Sequence, residues 1–140
     1  MKVTTSQLKS LIKESIEEVM KEQVKGIDIK GHKNLTIKSG HSFDDLPEWF
    51  QKAKTENAIV SINSDKELVW HKGTWHTGTW IGVWEDGTWI NGIWYNGVWE
   101  NGIWKNGDWF AGTWKSGTWI DGEWFKGRWL DKNNPHPNKR

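Results

Sequence analysis

The stretch Gly87-Thr88-Trp89-Ile90-Asn91-Gly92-Ile93-Trp94-Tyr95-Asn96-Gly97-Val98-Trp99-Glu100-Asn101 is three copies of one unit, Gly-x-Trp-x-x. The unit continues in both directions. From Trp70 to Trp129 a tryptophan recurs every five residues, and each but the first has a glycine two positions before it. One step, Trp80 to Trp84, is a residue short. Twelve of the 15 glycines and all but one of the 14 tryptophans fall in this region, so the repeat rather than the average composition decides the fold.

Two architectures compete for such a period. Asn91-Gly92, Asn96-Gly97, Asn101-Gly102 and Asn106-Gly107 carry the dipeptide of type I′ hairpin turns. The stretch Trp99-Glu100-Asn101-Gly102-Ile103-Trp104 resembles the designed tryptophan-zipper hairpins, which implies an antiparallel meander. Ladder parity opposes it. Two-residue turns would leave three-residue strands, and the first and third residues of such a strand point their amides at the same neighbour. A meander then needs two alternating turn types.

The second architecture is a parallel β-solenoid, one unit per side. Here Gly-x-Trp resembles the pentapeptide-repeat family, whose units place a small residue two positions before a large central one. The resemblance covers roughly residues 70–131 and implies four sides per coil, with glycine and tryptophan both inward and glycine vacating room for the indole. Stacking charges at a separation of 20 brings Glu85 to Lys105 and Asp108 to Arg128. At 15, Glu85 meets Glu100 and Asp108 meets Glu123, which cross-strand repulsion disfavours. The expectation is therefore a mainly β fold: a short four-sided solenoid of about three coils. The indoles of Trp75, Trp80, Trp84, Trp89, Trp94, Trp99, Trp104, Trp109, Trp114, Trp119, Trp124 and Trp129 form its core, because only their burial supplies enough apolar area to order the chain. The short Trp80–Trp84 step predicts a tightened corner or the limit of the regular coil.

Upstream, residues 1–26 read as an amphipathic partner or assembly helix, with Leu8, Leu11, Ile12, Ile16, Val19 and Met20 on its apolar stripe. Residues 27–69 read as a small α+β cap over the first end of the repeat, since solenoid ends need covering. Short strands are expected around Ile27/Ile29, Leu35/Ile37, Ala58–Ile62 and Leu68–Trp70. A helix opens at the Asp45-x-x-Glu48 capping box, with Leu46, Trp49, Phe50 and Ala53 on one face. Residues 132–140 are expected to be a disordered tail, which leaves the last coil open and favours homo-oligomers.

Chemistry is harder to find. The net charge is +1, and residues 70–132 hold six Lys/Arg against seven Asp/Glu, which offers nucleic acid no electrostatic funnel. The chain also lacks the acidic surface of the DNA-mimicking pentapeptide-repeat proteins, so their function is not carried over. There is no cysteine, which excludes thiolate zinc sites and disulfides. No apolar run is long enough to span a membrane, and Met1-Lys2-Val3 does not lead into a signal-peptide core, so a cytoplasmic or virion-associated protein is expected. His71 and His76 follow tryptophans in adjacent units without an evident third ligand. His32 and His41 have no acidic cluster beside them, and capping accounts for at least one of Asp44 and Asp45. No Ser/His/Asp set is evident. The glycines keep a spacing of five and do not form a phosphate loop. No cofactor, metal or catalysis is expected.

The opening, Lys2-Val3-Thr4-Thr5-Ser6-Gln7-Leu8-Lys9-Ser10-Leu11-Ile12-Lys13-Glu14, resembles the N-terminal segments of small proteins in tailed-phage genomes. That resemblance implies a structural or accessory component of a virion, held to a protein partner through this segment. The alternative is a carbohydrate-binding module that stacks sugars on exposed tryptophans.

Overall fold

The computed structural model describes residues 26–38 and 40–139. The segment carrying Leu8, Leu11, Ile12, Ile16, Val19 and Met20 lies outside the described residues. The remainder is a β-solenoid of about four turns, closed at one end by a small α+β cap. Every strand pair within the repeat is parallel, which removes the meander.

The solenoid has three sides, not four. Its strands are β4 (Leu68–Thr77), β5 (Thr79–Trp84), β6 (Thr88–Trp89), β7 (Ile93–Trp99), β8 (Ile103–Trp104), β9 (Asp108–Trp109), β10 (Thr113–Trp114), β11 (Thr118–Trp119), β12 (Glu123–Trp124) and β13 (Arg128–Trp129). Trp70, Trp84, Trp99, Trp114 and Trp129 stack along the first side. Trp75, Trp89, Trp104 and Trp119 form the second. Trp80, Trp94, Trp109 and Trp124 form the third. Trp99 pairs with Trp114, so a coil is 114 − 99 = 15 residues, or three units.

Indole geometry explains why three wins. Within the regular coils each indole meets the next along the chain edge to face, at 5.7–6.0 Å. Each also stacks on the indole one coil away at 4.6–5.0 Å, within 9° of parallel. That spacing matches the distance between hydrogen-bonded strands, so backbone ladder and ring stack share one repeat. A fourth side would open a void at the axis that edge-to-face indoles cannot close, and protein interiors are close-packed. The like-charge neighbours do occur: Glu123 pairs with Asp108. Glu123 is exposed and Asp108 half-buried at the surface, and repulsion between charges in contact with solvent is weak against ring burial. Along the first side the Glu85–Glu100 neighbours are flanked by cationic or protonatable groups, with His71 on Glu85 and Lys115 Nζ 3.6 Å from Glu100.

The glycines turn the corners. Gly102 has φ +125°, and a Cβ there would lie 2.3 Å from the Gly87 carbonyl oxygen of the preceding coil. That oxygen already accepts the Ile103 amide at 2.9 Å. Glycine is therefore required by backbone conformation and by the approach of two coils, not chiefly by the volume of an indole. The Asn-Gly dipeptides are corners too. Asn91 and Asn96 each accept the amide of the following glycine at 2.9 Å, and Asp86 and Asp121 do the same at 2.8 Å.

In the regular coils the indoles also tie one coil to the next. Trp89, Trp94, Trp99 and Trp104 donate to the carbonyls of Asn106, Ala111, Ser116 and Asp121, each 17 residues on, at 3.0–3.1 Å. The first coil breaks this rule. Its registers are one residue shorter, since Trp70 pairs with Trp84, and the ladder slips between Trp80 and Ile81, where the four-residue step tightens the corner. Among the described residues the buried Nε1 atoms of Trp70, Trp75, Trp80 and Trp84 have no acceptor, and Trp109 is the one exception of this kind in the regular coils. Trp99→Phe should therefore cost about 1 kcal/mol more than Trp75→Phe, because only the first strands a carbonyl, here that of Ser116. Paired urea titrations of the two variants read this difference.

The cap grows from the same sheet. β1 (Ile27–Ile29) pairs antiparallel with β2 (His32–Ile37), which runs parallel to β3 (Lys54–Ile62); β3 then pairs antiparallel with β4. Between β2 and β3 the chain makes a 3-10 turn, Phe43–Asp45, and a helix, Glu48–Gln51. The capping box differs from the one expected. Asp45 closes it with Ser42, whose amide donates to the Asp45 carboxylate at 2.8 Å and holds its pKa below the usual value, while Pro47 is the N-cap of the helix. Phe50 and Trp49 lie against Trp75 and Trp80 and seal the bore.

His32 is buried in this cap, stacked on Phe50 at 4.8 Å. Its Nε2 faces the Gln51 carbonyl, which can only accept, so Nε2 carries the proton and Nδ1 accepts from the Thr55 hydroxyl. Burial lowers the His32 pKa from 6.5, and burial shifts His136 the same way. The unfolded chain takes up protons below about pH 6.5 that the native imidazoles refuse. Stability is flat in this respect above that pH and falls as pH drops through it. Thermal unfolding at pH 7.5 and 5.5 should show the loss, and His32→Asn should show a smaller difference between the two.

The far end is covered as well, contrary to the expected disordered tail. Asp131 is buried and accepts from the Trp114 indole, the Asn134 side chain and the Asn133 amide. Asn134 also donates to the Gly117 carbonyl and accepts from Trp129 Nε1. His136 sits on Trp124 and Trp129 at 5.1 and 5.7 Å. The final coil would otherwise expose ring faces and unpaired carbonyls, and these polar residues satisfy both. An open last coil is therefore no ground for oligomerisation.

Candidate functional site

With the indoles turned inward, function has to be sought in the residues on either side of each tryptophan. The described tryptophans from Trp70 to Trp124 are buried and Trp129 is half-buried. The core expectation holds across the repeat. The row of exposed indoles that sugar stacking would need is not there.

Three outer features carry chemistry. On the first side, Ser61 of β3, His71 of β4 and Glu85, just beyond β5, form one hydrogen-bonded chain. Ser61 Oγ lies 2.7 Å from His71 Nε2, and His71 Nδ1 lies 2.5 Å from Glu85 Oε1. The carboxylate accepts from Nδ1–H, so in the neutral imidazole Nε2 accepts from the serine hydroxyl. This is the connectivity of an acyl-transfer triad. Ser61 sits within the ladder near the end of β3, opposite Val69, and not on a strand-to-helix turn. Sequence reasoning missed the set because a 20-residue register sends Glu85 to Lys105. A register of 14 puts Glu85 next to His71.

The second feature is His76 on the adjacent side, 3.3 Å from Glu56. His71 and His76 thus face different sides and do not share a ligand. Among the described residues no group of three His, Cys, Asp or Glu is placed to hold a metal ion. His41 lies against Asp45 at 3.6 Å, apart from His32 in the core.

The third feature is an apolar stripe on the third side. Tyr95, Phe110 and Phe125 follow the tryptophans of successive coils and are 57, 37 and 53% exposed, with Ile93 at 38% in the neighbouring column. Phe110 and Phe125 stack at 4.8 Å and 8°, and Tyr95 lies 6.3 Å above Phe110. Rings stacked on one another at the strand spacing present edges outward. A sugar-stacking platform needs faces.

No protein-family model, curated protein or solved structure matches the chain. Function therefore rests on the geometry. Among the described residues no helix is long and apolar enough to cross a membrane.

Proposed function

We propose that this chain is a non-enzymatic structural scaffold: a short rigid rod that joins other proteins, with residues 1–25 as one attachment. The observation that carries this reading is the allocation of the aromatic residues. The repeat spends its tryptophans on a closed, stacked core capped at both ends, which supplies rigidity and leaves a nearly neutral exterior. The amphipathic pattern of Leu8, Leu11, Ile12, Ile16, Val19 and Met20 supports a protein partner for that segment, and its resemblance to small tailed-phage proteins supports a virion as the setting. In-cell cross-linking read by mass spectrometry tests it. The expected result is one protein linked through residues 1–25 by the full chain and lost in Leu11→Asp/Ile12→Asp. Unchanged cross-links in that variant would overturn it.

The Ser61–His71–Glu85 chain favours a second reading, hydrolysis of an ester. Ser61 Oγ would attack the carbonyl while His71 Nε2 takes its proton and passes it to the leaving alkoxide; water then cleaves the acyl-serine. Release of p-nitrophenol from an acetate ester, abolished by Ser61→Ala, would favour this reading; equal rates in both proteins would remove it.

A further inference from the structure

The apolar stripe has a charge frame that fixes what can cover it. On one flank, two residues before each phenylalanine, stand Asp108 and Glu123, adjacent in the ladder. On the other flank Lys126 follows Phe125, and Arg128 begins the next side. None of these four has an ion-pair partner among the described residues. Acids on one flank, bases on the other and apolar side chains between make a surface complementary to itself under one symmetry operation. A two-fold axis running along the stripe, parallel to the solenoid axis, exchanges left and right at constant height. It sets Glu123 of one copy against Lys126 of the other, and Phe110 against Phe110. A two-fold axis across the stripe keeps left on left and sets Asp108 and Glu123 against their own counterparts, a repulsive arrangement.

We infer that the third side is the contact surface for a second copy of this chain, packed side by side with parallel solenoid axes. The inference rests on the scaffold reading and adds a geometry to it: a paired rod with both cap ends pointing the same way. The face is only four tryptophan rungs tall, well below the ~800 Å² per partner of a standard interface. The pair is therefore weak alone and strengthened when a partner gathers copies. The interface is isologous, and its contacts repeat at the strand spacing.

The absence of native cysteine allows a direct test. Facing sheets lie about 10 Å apart, within reach of a short bis-maleimide. In the full chain, Phe110→Cys should cross-link into a dimer, while Ile120→Cys, exposed on the second side, should not. Adding Glu123→Lys should reduce the Phe110→Cys dimer about fivefold, as expected for two exposed ion pairs lost per dimer, and adding Lys126→Glu as well should restore it. Three outcomes would overturn the inference. A thiol that labels freely but never cross-links means an unoccupied face. A thiol that becomes reactive only after Leu11→Asp/Ile12→Asp means residues 1–25 cover it. A dimer indifferent to the charge reversal means a different packing. Each leaves the partner cross-link through residues 1–25 to stand or fall separately.

Discussion

Trp99→Ala is expected to destabilise the protein by about 3–5 kcal/mol, a large part of the margin of a domain this size. Trp99 is fully buried, stacks on Trp84 and Trp114 at 4.9 and 4.8 Å, and meets Trp94 and Trp104 edge to face. Alanine would remove four ring contacts and the indole bond to the Ser116 carbonyl. The cavity cannot collapse, because the strands above and below are held at the ladder spacing and their indoles are fixed by their own stacks. Since each coil contacts only its neighbours, the damage should be local at first: coils on the far side of the gap lose their template. Urea unfolding followed by circular dichroism should show a lower midpoint and a broadened transition. A midpoint within experimental error of wild type would mean that the stacks do not hold the rod together.

Gly102→Ala should cost about as much, ~3–5 kcal/mol, for a different reason. No packing is lost. The added Cβ meets the Gly87 carbonyl oxygen at 2.3 Å, the Gly87 nitrogen at 3.0 Å, and a φ of +125° that an L side chain resists. Neither backbone atom can retreat without breaking the bond from the Ile103 amide. Gly40→Ala is the control. Its φ is +72°, yet a Cβ there meets nothing within 4 Å, so the cost should stay near 1 kcal/mol. Equal midpoints for the two variants would place the requirement in local conformation alone and remove the contact between coils from the explanation.

Much of this fold is legible in the chain. The Trp period identifies a repeat, parity excludes a uniform two-residue-turn meander, and the area argument sends the indoles inside. The short Trp80–Trp84 step marks the irregular corner, where the ladder slips and buried indole N–H groups go without acceptors. The pattern of residues 27–69 marks the cap that seals the first end. These are local properties, set by spacing and by what a side chain can bury.

The number of sides was not legible, and it governs the surface. It is set by how many indoles close a bore without a hole, a property of three rings packed at once that no pairwise comparison along the sequence contains. The charge columns point to four sides only if like-charge contacts decide the register, whereas like charges at the solvent boundary cost little beside a stacked indole. Only with a coil of 15 residues do Tyr95, Phe110 and Phe125 become a stripe, and only with a first coil of 14 does His71 sit between Ser61 and Glu85. The covered last coil was hidden for the same reason. Asn133, Asn134 and Pro135 read as a loose polar tail until Trp114, Trp129 and the Gly117 carbonyl are in place to be satisfied by that segment. The sequence by itself determined that the tryptophans form the core of a repeat; that the glycines turn its corners, rather than vacate room for the indoles, came from the structure. The tertiary structure alone decided which outer residues become neighbours, because that depends on coil length, and coil length is fixed by packing across the bore.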